Sequence, residues 1–126
     1  VGISYKGINH VQLAAPLGCE AQARNFYGHI LQMPELEKPE DLKKRGGVWF
    51  QCGTHPIHIG VQESFIPAKK AHPAIEVTDL EVLRMRLMEQ GVPIIEDVPL
   101  AGYVRLFVND PFGNRIELLQ RLEGGK

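Results

Sequence analysis

A chain of 126 residues, 44% hydrophobic and 23% charged, is long enough for one domain, or two small modules sharing a core, with a sizeable apolar interior. Fourteen basic residues against fifteen acidic ones leave no basic footprint for nucleic acid or an anionic membrane. No apolar run approaches the ~20 residues of a membrane span and the start is not signal-like. Cys19 and Cys52 form neither a CxxC pair nor a disulfide ladder, so reduced thiols and a cytoplasmic location are expected.

Gly7 to Ala15 alternates, with Ile8, His10, Gln12 and Ala14 on one face and Val11, Leu13 and Ala15 on the other, which predicts a strand. Pro16-Leu17-Gly18 breaks it. From Glu20 the apolar positions Ala23, Phe26, Tyr27, Ile30 and Leu31 recur at helical spacing, and Pro34 ends that helix by about Met33. The charged, proline-broken segment from Glu35 to Arg45 reads as a short strand or turn. Gly47 to Cys52 and Pro56 to Gln62 then form a hairpin around Gly53-Thr54-His55.

The second half repeats this order. Ala71 to Thr78 alternates as a strand, and Pro73 inside it suggests an edge or a strand end. Asp79 is a natural N-cap for a helix carrying Leu80, Leu83 and Leu87 and closing at Gly91. After Ile94 to Val98 come two more strands, Tyr103 to Val108 and Arg115 to Leu119, joined by the tight turn Asp110-Pro111-Phe112-Gly113-Asn114. The chain is strand, helix, then about three strands, written twice. This predicts an α+β fold in which two βαβββ modules, about residues 5–66 and 70–122 of a single domain spanning 1–126, form an open barrel-like sheet with helices on its outer face.

Superposing the modules pairs His10 with His72, 62 residues on, and His58 with Glu117, 59 residues on. A lone strand histidine is usually only hydrogen-bonded or exposed. Here, however, four candidates occupy equivalent strands in the same phase, each flanked by aliphatic residues that would face the helices. His10, His58, His72 and Glu117 are therefore expected on a shared concave surface, a ligand set suited to a divalent Zn, Ni, Fe or Mn ion. His29 and His55 are read as solvent-facing. Gln12 shares the face of His10. Phe26, Tyr27 and Trp49 are core or cavity wall, and Arg105 and Phe107 are placed facing the cavity. Arg105 would hold an anionic substrate group or pair with Glu76 or Glu96.

These residues resemble the vicinal oxygen chelate superfamily, which includes glyoxalase I, fosfomycin-modifying thiol transferases, methylmalonyl-CoA epimerase, extradiol dioxygenases and bleomycin-binding proteins. The resemblance rests on Asn9-His10-Val11, on Phe26-Tyr27-Gly28-His29-Ile30-Leu31 with Gln32 in place of the usual glycine, and on Asp110-Pro111-Phe112-Gly113-Asn114 followed by Ile116-Glu117. It implies metal ligands on the first and last strands of each module and a homodimer that exchanges modules. It also implies a small substrate chelating the metal through adjacent oxygens, in some members with a thiol, and Glu117 as catalytic base as well as ligand. Phe107 stands where ring-cleaving members carry tyrosine, which argues against a dioxygenase. A thiol transferase of the fosfomycin type matches His10, His72 and Glu117 but has threonine where this chain has Gln12. A non-catalytic, bleomycin-like binder would lack the four ligands.

Overall fold

A computed structural model of the chain describes residues 2–123. Strand β1, Val11–Ala15, leads to helix α1, whose first turn Glu20–Ala23 is α-helical and whose remainder, Arg24–Ile30, is π-helical. Strands β2 (Glu35–Leu36), β3 (Val48–Cys52) and β4 (His55–Val61) follow, with a short 3-10 helix, Glu40–Arg45, after β2. The second half gives β5 (Ala74–Glu76), α2 (Leu80–Glu89), β6 (Tyr103–Asn109) and β7 (Arg115–Arg121). The first sheet runs β1-β4-β3-β2 and the second β5-β7-β6. Ile95, which was expected within a strand, makes only a single antiparallel bridge to Phe107. That bridge lies where β2 lies in the first sheet, so the two halves share one topology.

Two strands are shorter than the alternation predicts, and proline is the reason for both. By the register Val11↔Ile57, His10 lies opposite Pro56, which has no N–H to donate, so β1 begins at Val11 and His10 precedes the ladder. Pro73 likewise delays β5, which is an edge of its sheet. The inward faces meet expectation: Ile57, Ile59, Ile116 and Leu118 belong to one continuous core with Phe26, Tyr27, Ile30, Leu80 and Leu87. Asp79 caps α2, accepting from the Val82 N–H at 3.2 Å. Arg86 reaches from α2 to the carbonyls of Ile30 and His29, both at 2.8 Å, and satisfies the C-terminal end of α1. Cys19 and Cys52 are free thiols. Among the described residues no helix is long and apolar enough to cross a membrane.

Just past the end of α1, Gln32 adopts φ 59°, the left-handed conformation that costs a non-glycine residue about 1 kcal/mol or more. Glycine commonly ends a helix at this position. Gln32→Gly is expected to raise unfolding stability by about 1 kcal/mol in denaturant titration; no gain would show that the Gln32 side chain offsets its own backbone strain.

The turn after β6 is built around Asp110, which is 4% exposed. Its Oδ1 accepts from the N–H groups of Phe112 and Asn114 at 2.9 and 2.8 Å, and its Oδ2 from the Tyr27 hydroxyl at 2.6 Å and Asn114 Nδ2 at 2.9 Å. Asn114 Nδ2 also donates to the Ala14 carbonyl at 2.8 Å, tying the turn of the second module to β1 of the first. Burial, then the Asp110 charge and its hydrogen bond, push the Tyr27 hydroxyl well above its usual 10.0. Above that pH the unfolded chain loses a proton that the folded chain keeps, so stability is full below about pH 10 and falls as pH rises. Tyr27→Phe is expected to flatten this alkaline decline in unfolding experiments at pH 9 to 11; an unchanged slope would place its source elsewhere.

Candidate functional site

The ladder β3–β4 pairs Trp49 with His58, and β1–β4 pairs Gln12 with His58, so all three share one face of the first sheet. Trp49 and His58 lie flat on each other, ring centres 3.7 Å apart and planes 2° from parallel. His10 stacks on the other side of His58 at 4.2 Å and 22°. The exposed His10 has its Nδ1 2.8 Å from Asn9 Oδ1. His58 is buried, and this lowers its imidazole below the ordinary histidine range, with the charges of His10 and Lys38 adding to the effect.

On the second sheet the pairs Phe107↔Glu117 and Ala74↔Glu117 set Glu117, Phe107 and Ala74 on one face, with His72 two residues before Ala74. Glu117 is 5% exposed. Its Oε1 is 2.9 Å from His72 Nε2, and its Oε2 accepts from Arg105 Nη1 at 3.2 Å. Arg105 also donates twice to the Val98 carbonyl, at 3.0 and 2.8 Å, so neither expected partner takes it: Glu76 meets Arg121 and Glu96 meets Arg84. Phe107, 1% exposed, is the floor beneath this group, with the His72 ring edge-on at 5.3 Å and the Arg115 guanidinium 4.2 Å from its centre.

The expected cluster of four is thus two pairs within a chain, His10 with His58 and His72 with Glu117. No three His, Cys, Asp or Glu side chains among the described residues converge tightly enough to share an ion. Strand phase placed each donor on its face, but phase says nothing about how the modules pair. Of the four expected cavity residues, Gln12 lines a cavity of about 560 Å³ along β1 and β5, together with His72, Phe65 and Arg115. Trp49, Arg105 and Phe107 are outside that lining, occupied instead with His58, Glu117 and the floor of the second pair.

The donor chemistry fits a divalent ion. His72 Nδ1 donates to the Lys70 carbonyl at 2.9 Å, and His10 Nδ1 faces an amide oxygen. A backbone or amide oxygen can only accept, so Nδ1 of each ring is the donor, and the neutral form of such a ring presents its Nε2 lone pair, as metal-binding histidines do. Without an ion, a charged His72 ring donates from Nε2 to the Glu117 carboxylate at 2.9 Å; with the ring neutral, the same two atoms are adjacent nitrogen and oxygen donors for a cation. Their 2.9 Å separation, that of an ordinary hydrogen bond, is also close to the roughly 3 Å between adjacent donors on an octahedral ion with bonds of about 2.1 Å, and shorter than the ~3.4 Å on a tetrahedral one.

A βαβββ unit written twice, with donors at the first and last strands of each copy, is a glyoxalase-type fold. The chain belongs to the Glyoxalase/Bleomycin resistance protein/Dioxygenase superfamily, whose family model matches residues 7–118. It is 49% identical to a glyoxalase family protein from Bacillus anthracis, with a TM-score of 0.93 over 97% of this chain and 100% of that one. The fold is shared at 16% identity with the fosfomycin resistance protein FosX from Listeria monocytogenes, in a mutant form complexed with Mn(II) and 1S,2S-dihydroxypropylphosphonic acid (TM-score 0.78; 94% of this chain, 95% of that). It is also shared at 17% identity with lactoylglutathione lyase from Agrobacterium tumefaciens (TM-score 0.71; 92% and 94%). No protein of curated function matches the chain.

Proposed function

We propose that the protein is a divalent-metal-dependent isomerase or lyase of glyoxalase type, acting as a homodimer on a small substrate that presents two adjacent oxygens. The observation that carries this reading is the buried Glu117 carboxylate held 2.9 Å from His72 Nε2, with the ring oriented by the hydrogen bond of its Nδ1 to the Lys70 carbonyl. His72 and Glu117 of one copy and His10 of the other would hold a Zn, Ni, Fe or Mn ion. When bound, the ion supplies a Lewis acid that polarises the substrate oxygens and acidifies the neighbouring C–H. Glu117 takes that proton and returns it to the adjoining carbon. Arg105, anchored on the Val98 carbonyl, holds the second carboxylate oxygen and so fixes the plane in which Glu117 works. Gln12 and His72 wall the cavity beside it.

Three features support two copies. The donor pairs are incomplete alone, β1 and β5 are both sheet edges, and the exposed apolar residues Ile3, Tyr5, Ile8 and Ile66 flank them in the chain. Buried on association, such residues would stabilise a dimer.

The test is turnover by metal-stripped and metal-loaded protein. The adduct of methylglyoxal with a thiol is expected to isomerise only in the loaded sample. Conversion of fosfomycin with a thiol instead would indicate group transfer, although this chain has Gln12 where the fosfomycin-type transferases it resembles carry threonine. A stripped protein that takes up no ion yet retains an aromatic drug would be a sequestering binder.

A further inference from the structure

His58 matches Glu117 in strand phase and so enters the sequence as a fourth ligand, yet its ring lies in a stack that ligation does not tolerate. A nitrogen lone pair lies in its ring plane, so two histidines on one ion need planes that meet at that ion. The rings of His10 and His58 are stacked, centroids 4.2 Å apart and planes only 22° from parallel, so their planes meet well beyond the roughly 3 Å at which an ion lies from the centre of a ring that binds it. The two rings do not point at one ion.

The stack does something else. His10 precedes the ladder of β1 and is exposed, so no strand hydrogen bond fixes it. Its ring is held by Asn9 Oδ1 at 2.8 Å and by the face of His58. His58 is in turn held flat by Trp49, its direct cross-strand neighbour, at 3.7 Å and 2°. Gly60 belongs to the same arrangement: a Cβ there would fall 2.7 Å from Gln12 Nε2, so glycine leaves room for the Gln12 side chain to lie over the strand beside the stack.

We infer that His58 is a positioning residue and not a ligand: Trp49 and His58 form an aromatic rest that sets the ring plane of His10, so that its Nε2 is preorganised for a divalent ion. The inference rests on the metal reading of His10, His72 and Glu117. Its chemistry requires a ring at position 58 but no nitrogen donor, which separates it from ligation.

The experiment titrates Mn²⁺ or Zn²⁺ by calorimetry into wild type, His58→Phe, His58→Ala and His10→Ala, and records the His10 ring-proton shifts of each metal-free protein except His10→Ala. His58→Phe is expected to keep affinity within about threefold of wild type, and His58→Ala to lose about 10- to 100-fold, the range for groups that orient a ligand. The ring-current displacement of the His10 signals should persist in His58→Phe and vanish in His58→Ala. If His58→Phe loses as much affinity as His10→Ala while its His10 signals stay displaced, His58 is a ligand and the inference is overturned. It is equally overturned if His58→Ala binds as wild type does. A wild type that binds no ion overturns the metal reading itself, and this role with it.

Discussion

Asp110→Ala is expected to lower unfolding stability by about 4 kcal/mol, the scale for removing one member of a buried, charge-assisted network. One carboxylate satisfies four donors, two backbone N–H groups on one oxygen and the Tyr27 hydroxyl and Asn114 amide on the other. Tyr27 is fully buried, so water does not readily replace the lost acceptor. The effect also reaches across the molecule. Asn114 is bound to the Ala14 carbonyl and Tyr27 stacks against Phe50 at 5.6 Å, so the turn of the second module anchors β1 and α1 of the first. Asp110→Asn, which keeps the shape but brings an amide donor against one of those groups, is expected to fall between wild type and alanine. Chemical denaturation measures all three, and an alanine variant within 1 kcal/mol of wild type would contradict this account of the turn.

Glu117→Gln is expected to reduce divalent-ion affinity by more than about 100-fold, beyond the loss typical of a residue that only orients a ligand, while leaving the fold intact. Glutamine retains the volume of the side chain and an oxygen for the Arg105 guanidinium, so the half-buried arginine keeps this hydrogen bond. What disappears is the negative charge beside His72 Nε2. Glu117→Ala removes that acceptor as well, and is expected to lose stability along with the ion because the half-buried Arg105 keeps only the Val98 carbonyl and loses its counter-charge. Elemental analysis of the purified variants together with calorimetric titration separates the two effects. A glutamine variant with wild-type ion content would remove Glu117 from the ligand set.

Much of this was readable before any coordinates. The period-2 alternation of Pro56 to Gln62 and Arg115 to Leu119 assigned Ile57, Ile59, Ile116 and Leu118 to the core, and hence His58 and Glu117 to the opposite face. The cap at Asp79 and the stop at Gly91 followed from local chemistry alone. Strand ends were less legible because they depend on the partner: Val11 starts β1 because Pro56 lies across from His10, a fact about register and not about residues 7–15. The Trp49–His58 stack was within reach, since a two-residue turn at Gly53-Thr54 brings position 49 opposite 58. The partner of Arg105 was not. Glu76, Glu96 and Glu117 are all acidic, and only the diagonal offset across β6 and β7 selects Glu117. How two modules pair is written in no local pattern, so the sequence left open whether the four donors meet within one chain or across a homodimer.

The claim at the centre is that His10 of one copy completes the His72 and Glu117 pair of another. It is tested most directly by refolding His10→Ala and Glu117→Ala together and measuring bound ion. Each variant alone is expected to bind none, because every site in either homodimer lacks a ligand. Each mixed dimer is expected to regain one intact site, its other site carrying both substitutions. If the mixture binds no more ion than the separate variants, the ligands come from a single chain or the site is not a metal centre, and the account fails.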